Sequence, residues 1–452
     1  MYHKVLFIFR RDLRIDDNTG LIEALHSSHT VLPCFIFDPR LLEDGKYSKN
    51  ALQFMLGSIK DLEAQLNALG GRLYLFSGLP HEVTAKLIGE ENIDAVIVNH
   101  DYTPFSVHRD GAISAVCAEH GSEFHQFHDA TLQVPGSVKT QQGKMYQVFT
   151  QFFRAASKLQ VEVPVPVKKG AFFNSDVSGA LEIIPEFDHN NQELFVHGGR
   201  SNALEVLSDL SGFMDYDRLR NIPSRMGTTG LSAHNRFGTV SIREVYHSFM
   251  DELGPNHTLI SELYWRDFFI QLAAGHPRVF GHAFREKFDG LQWDNDPVRF
   301  QAWCEGSTGF PIVDAGMRQL ATTGYMHNRV RMIVASFLVK DLHIDWRWGE
   351  RYFARKLVDY DPCVNNGNWQ WAASTGADAT PYFRIFNPWL QQQKFDPECE
   401  YIKKWVPELR NMSSQDIHAL EKHIPPQGIG YPPVIVDHKA EKDKTLIMFR
   451  SV

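Results

Sequence analysis

Cysteine is scarce in this 452-residue chain, and its five residues, Cys34, Cys117, Cys304, Cys363 and Cys399, are scattered. No CxxC pair or other metal-ligand spacing is present. That excludes the usual zinc and iron–sulfur patterns, so no metal is expected, and it suits a reducing compartment with free thiols. Long apolar runs are also missing, so no membrane span and no membrane partner are expected. The adjacent Arg10 and Arg11 are followed by Asp12, Arg14, Asp16 and Asp17 rather than by an apolar stretch, which is not an export signal. A cytoplasmic protein follows from these absences. Basic charge is not in excess either: the formal net charge is -8. A nucleic-acid partner, if there is one, would have to be met by a local basic patch working against the global field. No GxGxxG follows the first apolar run, so the usual dinucleotide fingerprint is lacking. Finally, no tryptophan precedes Trp265; all nine lie from there onward.

What is present begins with alternation. Short apolar runs at Val5–Phe9, Val31–Phe37, Leu73–Phe76 and Ala95–Val98, with a weaker one at Glu123–Phe127, alternate with helix-like stretches at Ser58–Leu69, His81–Glu90 and His108–His120. This βαβ rhythm predicts a doubly wound parallel sheet over residues 1–130. Residues 131–200 contain Pro135, Pro164, Pro166, the polar run Thr140–Lys144 and the pair Gly198–Gly199, a composition that suits a long linker over the surface. From 201 to 452 the patterns turn helical, including Gly316–Asp341, where Val330, Ile333, Val334 and Phe337 recur at helical spacing. The fold class expected is therefore α/β plus all-α. On their number alone, the clustered tryptophans are explained most simply by packing.

Four segments carry chemistry. The stretch from Asp359 through Tyr360, Asp361, Asn365, Trp369 and Trp371 to Gly376 crowds carboxylates, carboxamides and tryptophans together. That mixture suits a flat polar heterocycle held at its edges by amides and on its faces by apolar walls. A capped polar turn ahead of a helix explains the aspartates but not the paired tryptophans. The segment Met226–Ser232, with Thr228, Thr229 and Ser232, could cradle phosphate oxygens ahead of a helix, although a helix cap explains it equally well. On a helix through Ser261–Phe269, Glu262, Trp265 and Phe269 share one face with Arg266 at its edge, which could receive a flipped base; an amphipathic helix with an exposed acid is the alternative. In Tyr325–Met332, Asn328 and Met332 are one turn apart, and Arg331 could pair with a carboxylate such as Asp359, while His327 reads as structural.

Together with the opening FRRDLR and the late IVDHK (Ile435–Lys439), the segments ELYWRDF, MHNRVRM and NNGNWQWAASTGADATPYFRIFNP resemble the photolyase/cryptochrome family in order and separation, across nearly the whole chain. The resemblance is to class I photolyases, which repair cyclobutane pyrimidine dimers in DNA with blue light and reduced, anionic FAD. It implies that Tyr216, Thr228, Thr229, Gly230, Leu231 and Ser232 hold the FAD phosphates and ribityl chain. Arg331, Asp359, Tyr360 and Asp361 would lie at the flavin, with Asn365 facing its N5. Glu262, Trp265, Asn328, Met332 and Trp371 would line the pocket for the flipped dimer. Trp369, Trp346 and Trp293 would pass electrons inward from the surface, and Arg220, Arg266, Arg329 and Arg384 would meet DNA phosphates.

Within the family, (6-4) photolyases carry histidines where this chain has Asn328 and Met332, and neither residue can protonate as an imidazole does. Plant-type cryptochromes place an aspartate where this chain has Asn365. Both departures imply dimer repair rather than (6-4) repair or a photoreceptor that binds FAD without repair, which is the alternative. Gly230 stands where many photolyases have arginine. The loop Asn99–Ser106 lacks the Asn-Glu pair that accompanies a folate antenna, leaving a deazaflavin, a folate or no tightly bound second chromophore open. The implied partner is dimer-containing DNA, met by a monomer.

Overall fold

The computed structural model describes residues 1–43, 47–183, 189–225, 227–423 and 428–452. The chain divides into two compact units. One takes in Met1–Asn190, Val196–Ser211 and Gly230–Pro277; the other takes in Asn191–Phe195, Gly212–Thr229 and Arg278–Val452.

The first unit is organised by five parallel strands, β1 (Tyr2–Phe9), β2 (Ser28–Phe37), β3 (Tyr74–Ser77), β4 (Ala95–Asn99) and β5 (Glu123–Phe127), in the order β3-β2-β1-β4-β5. Val5 pairs with Val31 on one side and Ala95 on the other, so β1 is central. Every residue of β4 is buried, as is β1 from Val5 to Phe9. Such strands must be apolar on both faces, which is why they stand out as continuous runs rather than alternating ones. β5 sits at the edge and is largely uncovered, hence its weak sequence signal. The expected α/β sheet and the expected helical half are both present.

Two details differ from the sequence pattern. The helix expected from Ser58 starts at Lys49, because the Ser48 side chain accepts from the Ala51 N–H and caps it there. The segment expected as a surface linker carries a helix, Phe149–Ala156, and pairs with the sheet: Phe172 bridges Val31, and Leu181 bridges Leu75. The opening FRRDLR also has a structural task. Arg14 donates to both Asp129 oxygens at 2.8 and 2.7 Å, while Arg243 spans Asp17 at 2.8 Å and Asp129 at 2.9 Å. These four buried charges satisfy one another, as buried charges must.

The second unit is helical. Its core gathers Trp303, Phe310, Met317, Phe337, Trp346 and Trp369. The continuous helix expected over 316–341 is two helices, Pro311–Thr323 and Asn328–Lys340. Gly324 ends the first at φ 66°, a left-handed conformation that glycine adopts at little cost. His327 then caps the second by accepting from the Arg329 N–H. The sequence carries the break in Thr322–Gly324 and the polar His327–Arg329, signals that the apolar periodicity of the flanking segments overrides.

Candidate functional site

In the first unit, the helix Thr258–Gly275 carries the sequence-predicted acid and stacking surface. Glu262 and Trp265 are half-buried, one turn apart on the same face. The Trp265 ring stacks on Phe149 with centroids 3.5 Å apart and planes 9° apart, and it packs on Phe269 at 5.7 Å. Phe149 was not singled out by sequence, since its helix lies in a segment that read as linker. Gly230 has φ 69°, Leu231 is 2% exposed, and Ser232 opens the short helix Ser232–Phe237. A left-handed residue there suits glycine and would strain an arginine.

One expectation is corrected. Arg266 does not present its guanidinium for a phosphate: it donates to the Ala130 carbonyl at 2.5 Å and to the Asn235 carbonyl at 3.2 Å, with its side chain only 12% exposed. Its neighbour Asp267 accepts from the N–H groups of Leu132 (2.8 Å) and Gln133 (3.3 Å). Burial pushes that carboxyl up to about 7, against the pull of Arg266 and the two N–H groups. Together these two side chains satisfy backbone groups that would otherwise be buried unpaired.

In the second unit, Arg331 and Asp359 form the ion pair anticipated from charge and spacing, at 2.9 and 3.2 Å. The Asp359 side chain is 4% exposed and that of Arg331 23%. Arg331 also donates from Nε to the Met326 carbonyl at 2.7 Å and lies 5.1 Å over the Tyr325 ring. Tyr325 stacks on Phe195 at 4.1 Å, and its hydroxyl is 3.5 Å from Thr228 Oγ1. Gly227 lies so close to Leu219 that an added Cβ would come within 2.7 Å of its Cβ. Met226 lies outside the described residues; Thr229 is half-buried and Tyr216 buried.

Asp361 caps the helix Pro362–Ala372, accepting from the N–H groups of Cys363 and Val364. Proline in the first turn suits this start. Asn365 follows one turn later and Trp369 one turn after that, on the face begun by Asp361. Asn365 donates to the Glu350 carbonyl at 3.3 Å, which leaves its amide oxygen without a hydrogen bond among the described residues. Asn366 donates to Glu350 Oε1 at 3.0 Å, and burial pushes that carboxyl up to about 7. Tyr360 and Trp371 are partly buried against the core.

The three tryptophans expected to carry electrons run from interior towards surface: Trp369 and Trp346 are 2% and 1% exposed, whereas Trp293 is half-buried and lies edge-on to Phe449 at 6.4 Å. Trp369 packs so tightly on Gly349 that a Cβ there would lie 2.1 Å from its ring. Trp346 is one turn before Gly349 on the helix Trp346–Lys356. Trp303, edge-on to Trp369 at 6.2 Å and fully buried, is an aromatic neighbour that no motif marked.

Asn328 is exposed and Met332 half-buried at the start of their helix. Arg329 donates to Asn221 Oδ1 at 2.6 and 3.1 Å and lies 4.5 Å over Phe395. Burial and nearby Arg220 lower its pKa, and Arg220 in turn lies 5.2 Å over Tyr216. Arg384 is exposed. Among the described residues no group of side chains could hold a metal ion, and no helix is long and apolar enough to cross a membrane.

Comparison with known proteins bears on the whole chain. A deoxyribodipyrimidine photo-lyase of Vibrio cholerae is 40% identical over 98% of both chains. The chain belongs to the photolyase/cryptochrome family. The DNA photolyase model of that family matches residues 5–169, and the model for the FAD binding domain of DNA photolyase matches 259–451. Among solved structures, an archaeal photolyase from Sulfolobus tokodaii, described with two FAD molecules and a novel light-harvesting cofactor, is 41% identical with a TM-score of 0.88, covering 99% of this chain and 100% of its own. A bacterial class III photolyase from Agrobacterium tumefaciens is 34% identical with a TM-score of 0.90, covering 100% and 98%.

Proposed function

We propose that the protein is a deoxyribodipyrimidine photo-lyase, an enzyme that binds FAD and uses blue light to split cyclobutane pyrimidine dimers in DNA. The observation that carries this reading is the half-buried Glu262 set one turn from the Trp265–Phe149 stack. An acid beside a preassembled aromatic platform suits an extruded, poorly stacked pyrimidine dimer, whose edge it can meet by hydrogen bonding while the rings stack.

The residues present fit FAD. The close approach at Gly227 with the Thr228 and Thr229 hydroxyls suits phosphate and ribityl oxygens, joined by Tyr216, Gly230, Leu231 and Ser232. Arg331, Asp359, Tyr360 and Asp361 offer charge and hydrogen-bonding groups to a flat ring, and the Asn365 amide oxygen has acceptor capacity to spare. Reduced FAD, when bound and excited, would supply the electron that opens the cyclobutane ring and recover it afterwards.

The chain's own residues do the rest. Glu262 would donate from its carboxylic-acid form to the dimer carbonyl where negative charge develops. Asn328, Met332 and Trp371 are carried over from the motif resemblance as lesion-contacting residues. Trp293, Trp346 and Trp369 form a path from the half-buried edge into the core. Arg220, Arg329 and Arg384 meet DNA phosphates, whereas Arg266 supports the fold. The class I assignment draws on the motif resemblance, and a monomer in the cytoplasm completes the reading. Extraction and spectroscopy of the purified protein would show whether a second chromophore, a deazaflavin, a folate or another flavin, accompanies FAD or none is tightly bound.

The test is Glu262→Ala. Repair per bound dimer should fall by roughly tenfold or more, with FAD still bound. Unchanged repair would exclude this role for Glu262.

A further inference from the structure

Lys340 ends the helix Asn328–Lys340, yet its side chain turns inward and the residue is 0% exposed. Its Nζ donates to Ser374 Oγ at 2.9 Å and to the Arg384 carbonyl at 3.4 Å. Those acceptors stand at the two ends of one loop, Ser374 to Arg384. Burial pushes the amine down to about 7, but in either protonation state it keeps N–H groups to donate. A buried lysine is costly and is found where its hydrogen bonds matter.

The rest of the loop is anchored to the same end. The Trp371 carbonyl accepts from the N–H groups of both Ser374 and Thr380, each at 3.3 Å. The Arg384 N–H donates to the Pro381 carbonyl at 2.8 Å, closing a tight turn. Within that turn the Tyr382 ring lies parallel to Phe449, 5.5 Å away. The two side chains that follow point outward: Phe383 is 60% exposed and Arg384 is exposed. Ser374 itself has φ 64°, a conformation that glycine adopts more cheaply. Its hydroxyl, which Lys340 grips, is what glycine would lack.

We propose that Lys340 is a positioning residue for DNA binding, a clasp that joins the two ends of the Ser374–Arg384 loop so that Phe383 and Arg384 meet the damaged duplex in a preformed arrangement. This rests on the reading of the protein as a photo-lyase with Arg384 at the DNA. Preorganising exposed side chains improves affinity by lowering the ordering cost on binding, without a new contact.

The experiment compares wild type, Lys340→Met, Ser374→Gly, Arg384→Ala and the Lys340→Met/Arg384→Ala double variant, all FAD-loaded, on a dimer-containing duplex. Both clasp variants should bind about tenfold more weakly, repair bound dimers at the wild-type yield at saturation, and keep the flavin spectrum. Arg384→Ala should add little to Lys340→Met, because the clasp acts through that residue. In Ser374→Gly relief of backbone strain offsets the lost hydrogen bond, so binding should weaken far more than Tm changes, a split that a merely structural role would not give. It also serves where Lys340→Met fails to fold. Wild-type affinity in Ser374→Gly, or full additivity with Arg384→Ala, would overturn the proposal. If wild type binds no dimer-containing DNA, the functional reading fails; hydrogen exchange of the loop amides, faster in Ser374→Gly than in wild type only if the clasp exists, separates that failure from this one.

Discussion

Asp359→Asn isolates charge from shape at the Arg331–Asp359 pair. The asparagine is isosteric and still offers an oxygen to Arg331, so the change removes one negative charge and little else. Fully buried pairs cost about 3–5 kcal/mol to break, and exposed ones under about 1 kcal/mol. With Asp359 4% and Arg331 23% exposed, this pair lies between those limits. Arg331 also keeps its bond to the Met326 carbonyl and its place over Tyr325. A loss of about 2 kcal/mol is therefore expected, and if the pair also orients FAD, affinity should fall roughly thirtyfold. Apoprotein titrated with FAD, followed by quenching of flavin fluorescence, reads the affinity; a thermal melt of the same apoprotein reads the stability. FAD affinity within twofold of wild type would refute the reasoning, whatever the melt shows.

Three further outcomes are expected. Trp369→Phe should slow light-driven reduction of oxidised FAD by at least about tenfold while sparing repair by protein reduced chemically beforehand; loss of both would contradict the electron path. Asp267 keeps its proton to about 7 in the fold but would release it near pH 4 when unfolded. The stability it contributes is then fully present below about pH 4 and lost as pH rises through about 7. Asp267→Asn should lack that part of the pH dependence, as melts at pH 5 and pH 8 would show. Gly349→Ala places a methyl against Trp369 and should cost about 1–3 kcal/mol by denaturant unfolding.

Much of this was visible in the sequence, for physical reasons. β1 and β4 read clearly because both faces of a parallel strand are buried, whereas β5, at the edge and only partly covered, read weakly. The ion pair between Arg331 and Asp359 followed from complementary charges in motif segments. Arg266 misled because an arginine beside Glu262 and Trp265 looks available, and only the fold brings the Ala130 and Asn235 carbonyls to it. Phe149 escaped notice because its helix is short and lies among prolines, and Lys340 and Glu350 because a charged residue on a helix reads as solvated. The break at Gly324 was overlooked because the apolar spacing of Val330, Ile333, Val334 and Phe337 outweighed the glycine and polar residues just before them.

The most direct test of the repair assignment is illumination of the purified protein, with its FAD reduced, on an oligonucleotide carrying one cyclobutane thymine dimer. Under blue light the dimer should be lost and the two thymines recovered in many turnovers, with no change in the dark. Protein that binds FAD and the dimer-containing DNA but leaves the dimer intact under light would contradict the assignment.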